Sequence, residues 1–352
     1  MRICRECGVP LAVSKELAWR GNGVITQARD PDHRMIFYES DNLDNLFYGI
    51  EEIIGTPIEH IVIESKRREV KEYVEKLLPT LARKAARYMG MGMMIRKLSK
   101  IGKAYGYGNV KMAEKRIRLG DDDYVTMIVD NPHSILFFCG ETLGAWEAID
   151  GRESRVKYEE ITTNAYEVTN YIGQHAIELK EHLQAHQYTY KAGDIRFDRC
   201  PRCGIPLDVA RCKWNPELGT ITDPDSGRRM AIFGPSGFEA ILDDLEAELG
   251  AAIPEAVIEA QKRYTRKMLA GQDLSGGQEA FQRMLSLRGL GNMVSLELGE
   301  DRMSTTIGNS CLVLLMVGLI QGVFELIYSQ EDSGHEWVVK DGGDLTITVY
   351  RR

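Results

Sequence analysis

The sequence predicts an α+β fold: two tandem copies of a unit in which helices pack on antiparallel sheet. The copies are expected in a pseudo-twofold arrangement, each opened by a zinc-ribbon-like knuckle. Two observations carry this. Cys-Arg-Glu-Cys-Gly-Val-Pro-Leu at Cys4 to Leu11 returns as Cys-Pro-Arg-Cys-Gly-Ile-Pro-Leu at Cys200 to Leu207. Matches then continue along both halves, in segments whose apolar spacing is helical in some places and alternating in others. The expected boundaries are 1–172 for the first copy, 173–194 for a linker helix and 195–352 for the second copy.

Taken in order, each element has its counterpart. After the knuckle, Trp19 answers to Trp214, Gly23-x-Ile25-Thr26 to Gly219-x-Ile221-Thr222, and Arg34-Met35 to Arg229-Met230, a short hairpin. Leu46, Phe47, Ile50 and Ile54 before Gly55 match Ile241, Leu242, Leu245 and Leu249 before Gly250, a helical spacing stopped by glycine. A second helix opens near Pro57 or Pro254 and carries Val62-Ile63-Glu64 or Val257-Ile258-Glu259. Gly108-Asn109 and Leu119-Gly120 echo Gly291-Asn292 and Leu298-Gly299, framing a second hairpin. Asn131, Gly140, Gly144 and Glu147 correspond to Asn309, Gly318, Gly322 and Glu325 without a gap. Their Gly-x-x-x-Gly lies on one helix face and admits another backbone. The unit closes on alternating strands, Tyr166 to Tyr171 and Leu345 to Tyr350. Gly173 to Tyr190, between the copies, reads as a polar helix, with His175, Glu178, His182 and His186 on one face.

With 352 residues the chain is long enough for two cores, and its net charge of −8 argues against wholesale nucleic-acid binding. No charged-then-apolar leader precedes the knuckle, so a cytoplasmic chain with reduced thiols is expected. Cys311 to Tyr328 is near the minimum length of a membrane span, but Gln321 and Glu325 interrupt it, which predicts a buried core helix and no transmembrane segment.

Each Cys-x-x-Cys-Gly knuckle supplies two thiolates, half of a tetrahedral site. A zinc ribbon finds its second pair some 15–20 residues on, yet no cysteine lies between Cys7 and Cys139. If the copies pack as a homodimer would, Cys4, Cys7, Cys200 and Cys203 together complete one structural Zn2+ site. Completion by another chain, or redox pairs, are the alternatives, and with them a monomeric pseudo-dimer or a homodimer. Cys212 reads as a free thiol. Asp30-Pro31-Asp32 and Asp223-Pro224-Asp225 read as turn chemistry. Residues 83–118 form a basic segment, centred on Arg96, Lys97, Lys100 and Lys103 and interleaved with methionine and tyrosine, that can face an anionic surface. No phosphate loop, dinucleotide fingerprint or nucleophile elbow is present.

The run Asn131-Pro-His-Ser-Ile-Leu-Phe-Phe-Cys-Gly140-x-x-x-Gly144-Ala-Trp-Glu147, and Asn309 to Glu325 followed by Asp344-Leu-Thr-Ile-Thr-Val, resemble the 4-vinyl reductase-type domain, also described as predicted hydrocarbon-binding proteins. The resemblance covers about half of each copy. It implies the ligand-binding fold of nitric-oxide-signalling haem domains and Golgi transport-particle subunits, with helices on an antiparallel sheet around an apolar cavity. It also implies roles as sensors of small hydrophobic molecules or as accessory proteins in bacteriochlorophyll formation. Family sensors hold metal through a Glu and Cys cluster in the closing hairpin; the matching Tyr158 to Tyr166 has no cysteine, and no histidine is placed in the Gly-x-x-x-Gly helix to ligate haem. On this resemblance Phe137, Phe138 and Trp146, with Leu315 and Phe324, become candidate cavity walls. The leading expectation is a zinc-stabilised, non-catalytic binder of a small hydrophobic or amphipathic molecule. The alternatives are a reductase or tetrapyrrole-processing enzyme, and a scaffold on anionic membrane or nucleic acid.

Overall fold

The computed structural model describes residues 1–89, 92–179, 186–272, 274, 276–340 and 342–352, apart from the side chains of 88, 89, 92–95 and 97. The first half runs α1 (Leu11–Glu16), β1 (Leu17–Trp19), β2 (Ile25–Gln27), β3 (Arg34–Glu39), α2 (Asp41–Ile54), α3 (Glu59–Leu77), α4 (Thr80–Met89), α5 (Gly92–Tyr105), β4 (Asn109–Arg116), β5 (Tyr124–Asp130), α6 (Ile135–Asp150), β6 (Ser154–Thr162) and β7 (Ala165–Ile172). The second runs α7 (Leu207–Ala210), β8 (Lys213–Asn215), β9 (Thr220–Thr222), β10 (Arg229–Phe233), α8 (Pro235–Leu249), α9 (Ile253–Leu269), α10 (Gly277–Arg288), β11 (Asn292–Leu298), β12 (Arg302–Gly308), α11 (Val313–Ile327), β13 (Ser333–Lys340) and β14 (Asp344–Arg351). The element series of the first half recurs in the second, with a single helix, α10, where the first has α4 and α5. No helix among the described residues is long and apolar enough to cross a membrane.

All three sheets are antiparallel. The central one, β1-β2-β3-β10-β9-β8, takes three strands from each half of the chain, and the two others, β4-β5-β7-β6 and β11-β12-β14-β13, each belong to one half. Strands β3 and β10 are apolar on both faces because both faces are covered. Met35, Phe37, Met230 and Ile232 point into a core beneath the knuckles, while Ile36, Tyr38, Ala231 and Phe233 point into the main helical core. Their pairing is reciprocal: Phe37 faces Ile232, and Ile36 and Tyr38 face Phe233 and Ala231.

The helices cross between halves in the same reciprocal way, α2 against α9 and α8 against α3. Within each half the Gly-x-x-x-Gly helix lies directly on its partner, α6 on α3 and α11 on α9. A Cβ on Gly144 would stand 2.3 Å from the Arg67 carbonyl oxygen, and one on Gly318 would stand 2.5 Å from that of Ile258. Glycine is therefore needed there for close approach of two backbones. At the end of each such interface a buried carboxylate is met by two cations. Glu147 takes Arg67 and, at 3.6 Å, Lys71; Glu325 takes Arg266 at 2.9 Å and Lys262 at 3.4 Å.

The hairpins at the start of each half are seated on the opposite half. The Gly291 N–H donates to the Gly23 carbonyl at 3.1 Å, and the Gly108 N–H to that of Gly219 at 2.9 Å. Arg34, 3% exposed, reaches across to the carbonyls of Gly289, Asn309 and Ser310. Its counterpart Arg229 reaches those of Asn131 and Pro132.

The linker departs from expectation. Its described residues, 173–179 and 186–194, contain no helix, and His182 lies outside the described residues. Tethers to both halves replace helical hydrogen bonds. His175 pairs with Glu147 at 2.8 Å, His186 with Asp243 at 2.6 Å, the Tyr188 hydroxyl with Glu239, and the Lys191 N–H with Asn309.

Candidate functional site

The knuckles are built alike. In each, a backbone bridge, Ile3 to Pro10 or Arg199 to Pro206, closes a turn whose glycine sits at positive φ, 77° at Gly8 and 75° at Gly204. No atom lies within 4 Å of where a Cβ would stand on either, so glycine serves the backbone conformation there. The Cys4 N–H donates to Val9 and the Gly8 N–H to Cys4, and the Cys200 knuckle repeats both bonds.

These turns bring the four cysteines together from the two halves of the chain. Cys4 Sγ lies 3.9 Å from Cys200 Sγ, Cys7 Sγ lies 3.4 Å from Cys203 Sγ, and all four fall within 4.8 Å of one another. All are free thiols, Cys4 and Cys200 buried and Cys7 and Cys203 half-buried. Four sulfurs about 2.3 Å from one tetrahedral ion stand roughly 3.8 Å apart, so the set fits a tetrathiolate metal centre. The Cys7 N–H draws the Cys4 thiol down to about 7, while burial pushes Cys7 and Cys203 up. Four sulfur ligands fill a tetrahedron and leave no position for a reacting water, so the centre is structural in kind. Cys212 stands outside it, its thiol pushed up by burial to about 12.

A cavity of about 330 Å3 opens in the second half between α9, α10, α11 and the ends of β3 and β10. Gln261, Tyr264, Thr265, Met268, Leu269 and Gln272 line it as one stripe of α9 and its end, at the i, i+3, i+4, i+7 spacing of a helix face. Met284, Leu290, Met316 and Leu319 complete the apolar wall. At its polar end Glu39 is held by Arg288 at 2.7 Å, Arg228 at 2.9 Å and the Tyr264 hydroxyl at 2.9 Å. Burial pushes the Glu39 carboxyl up, but Arg288 and Arg228 outweigh it and hold the group below its ordinary value. The Arg228 Nε–H, in a side chain only 8% exposed, has no hydrogen-bond partner among the described residues. A polar donor buried without a partner is costly.

At the matching positions of the first half the chemistry is reversed. Lys66, Glu69, Tyr107 and Glu141 stand where the second half has Gln261, Tyr264, Leu290 and Leu319. Lys66 pairs with Glu69 at 2.6 Å and approaches Glu141 at 3.8 Å; His133 lies 3.4 Å from Glu141 and stacks on Tyr107 at 4.0 Å. Burial pushes the Glu141 carboxyl up, yet His133 and Lys66 hold it below the usual range.

The five candidate wall residues sit in packed core. Phe137 meets Phe47, Phe233 and Phe238 edge-on or tilted; Trp146 packs with Val125, Met127 and Ile149; Phe138, Leu315 and Phe324 are equally buried in the main cluster. None of them lines either this cavity or the groove that follows. Of the basic cluster, Arg96, Lys100 and Lys103 share that groove with Lys111 and Lys115 of β4; the Lys97 side chain is outside the described residues. The cavity's Glu39, Arg228 and Arg288 went unnoticed in the sequence, where the only available signal was the polar and methionine stripe of α9.

No protein-family model and no curated protein matches the chain. Among solved structures it is similar to the phenol-responsive sensory domain of the transcription activator PoxR, determined with phenol. That match has 12% identity and a TM-score of 0.32, covering 46% of this chain and 88% of that one. A mutant H-NOX of T. tengcongensis matches at 16% identity and TM-score 0.25, covering 34% and 74%. A structure probing heme distortion in the H-NOX family matches at 15% and 0.27, covering 40% and 79%. Likeness at these scores assigns neither fold nor ligand.

Proposed function

We propose that the chain is a duplicated, zinc-clasped binding protein for a small amphipathic molecule, and that each half derives from a 4-vinyl reductase-type domain. The carrying observation is the second-half cavity, whose walls are Met268, Leu269, Met284, Leu290, Met316 and Leu319 and whose polar end carries Glu39, Arg228 and Arg288. Its size falls at the small end of ligand pockets, of order 300–1,000 Å3, and the mixture of apolar wall with a few convergent polar groups is their usual composition. The bound molecule lays an apolar body along the methionines and leucines and turns a hydrogen-bond acceptor toward Arg228. The reading is binding without turnover: of the three carboxylates that line the cavity, Glu39 is committed to two arginines and a tyrosine, Asp223 accepts from the Asp225 N–H and the Ser226 hydroxyl, and Asp225 accepts from Arg211.

The four-cysteine cluster supports zinc in particular. Thiolate-only tetrahedral sets suit Zn2+, and a clasp made from one knuckle of each half fixes the halves face to face.

The test is saturable binding of 1-anilinonaphthalene-8-sulfonate to the folded protein, alongside mass spectrometry of an organic extract. One probe site per chain, lost in Leu319→Trp while the circular dichroism is kept, supports the cavity. Absence of a saturable site, or a site unchanged by Leu319→Trp, overturns it.

A further inference from the structure

We propose that the groove between α5 and β4 is a second binding site, for a small molecule carrying two or more phosphate groups. The groove encloses about 640 Å3 and is separate from the amphipathic cavity, with no lining residue in common. Arg96, Lys100 and Lys103 come from one face of α5 at i, i+4 and i+7, and Lys111 and Lys115 face them from β4. Pro216, in the loop after β8, closes the groove from the other half. No acidic side chain and no aromatic ring lines it among the described residues.

Five cations gathered in one concavity are unexpected on a chain whose net charge is −8. Among the described residues no carboxylate comes within ion-pairing distance of Lys100, Lys103 or Lys115, and Lys111 has only Asp130, at 3.6 Å. Lys100, Lys103 and Lys115, held together without a carboxylate partner, repel one another, and a concave site of one sign focuses its field on an incoming opposite charge.

The dimensions narrow the ligand. Seven residues of helix rise about 10 Å, and four steps of strand about 13 Å, so the two cation rows run along a short chain of linked phosphates. Lysine predominates, which suits phosphate met by point charges. A single-stranded nucleic acid would want rings to stack its bases, and the lining provides none. A membrane surface is met by an exposed apolar face rather than by a hollow. The volume is that of a small-molecule pocket.

Isothermal titration of the full chain with tripolyphosphate, orthophosphate, inositol trisphosphate and a nucleoside triphosphate tests the assignment and separates a free phosphate chain from a lipid headgroup. Expected are one saturable tripolyphosphate site, at least about tenfold tighter than orthophosphate, and a loss of about tenfold between 20 and 200 mM salt as screening shortens from roughly 20 Å to under 10 Å. The triple variant Lys100→Ala, Lys103→Ala, Lys111→Ala should weaken binding by a further factor of about ten or more, without changing the melting temperature, because exposed charges contribute little to stability. Equal affinity for orthophosphate, or no effect of the triple variant, overturns the site. So does tighter binding, at equal phosphate concentration, to phosphatidylserine vesicles or to a single-stranded oligonucleotide.

Discussion

Replacing Arg34 by Met tests how the halves are joined. Arg34 donates from Nη2 to Gly289 at 2.8 Å and to Asn309 at 2.7 Å, and from Nη1 to Ser310 at 3.0 Å, with Nε also directed at Gly289 at 3.3 Å. The Tyr188 ring of the linker stands 5.0 Å from its guanidinium and helps to seal the site. Methionine fills similar volume but leaves three buried carbonyl groups without donors. At about 1–3 kcal/mol for each unsatisfied group, less what relaxation recovers, the loss is about 3–5 kcal/mol. The counterpart Arg229 is less buried and holds two carbonyls, at 2.7 and 3.1 Å, with its Nε unpartnered, so Arg229→Met should lose about 1–3 kcal/mol. Lysine at position 34 cannot span three carbonyls from one ammonium, and Arg34→Lys should retain most of the loss. Equilibrium urea unfolding of the three variants gives the numbers from midpoint shifts at a shared slope. An Arg34→Met loss under about 1 kcal/mol, or equal losses at 34 and 229, would refute the view that these arginines clamp each hairpin to the opposite half.

Metal analysis of the purified chain should return one zinc per chain, with Cys4→Ser and Cys200→Ser each abolishing it and a chelator lowering the melting temperature; zinc retained in either variant is incompatible with a shared site. The Glu39 carboxyl is held below its ordinary value in the folded state, so its ion pairs contribute stability above the unfolded value near 4.3, and that contribution is lost as pH falls through the folded value. Melting curves from pH 7 to pH 3 should therefore steepen on the acid side, and Glu39→Gln should flatten that limb while costing about 3 kcal/mol at pH 7 by stranding Arg228 and Arg288.

What was readable in the sequence was whatever a short stretch decides for itself. The two knuckles, the turns at Asp30 and Asp223, the hairpins and the Gly-x-x-x-Gly helices are all specified by residues a few positions apart. The Asp32 N–H bonds its neighbour Asp30 in the turn, as that of Asp225 does Asp223. In the described part of the linker a polar, histidine-spaced segment compatible with a helix takes none, because its partners, Glu147, Glu239 and Asn309, lie far away in sequence. The cavity was misplaced for a related reason. Gly140 and Gly144, like Gly318 and Gly322, spend their helix face on contact with α3 or α9, which puts Phe137, Leu315 and Phe324 in solid core. The open space lies beside that contact, between α9, α10 and α11, with Glu39, Arg228 and Arg288 brought to it from distant parts of the chain, and no local period announces it.

The unequal halves carry the strongest functional argument. The clasp, the β3–β10 pairing, the crossed helices and the arginine clamps all treat the halves as equivalents, so nothing in the architecture requires one of them to keep a cavity and the other to lose it. Leu290 and Leu319 wall the cavity where the first half has the larger Tyr107 and the charged Glu141, and Lys66, Glu69, Glu141 and His133 form ion pairs there. A packed, salt-bridged core is the more stable solution to the same geometry, since an open cavity forfeits dispersion contacts. The second half bears that cost together with an unsatisfied Arg228 donor. A cost of this kind is expected where the vacancy serves binding, with the filled half acting as the rigid frame against which the open one is held.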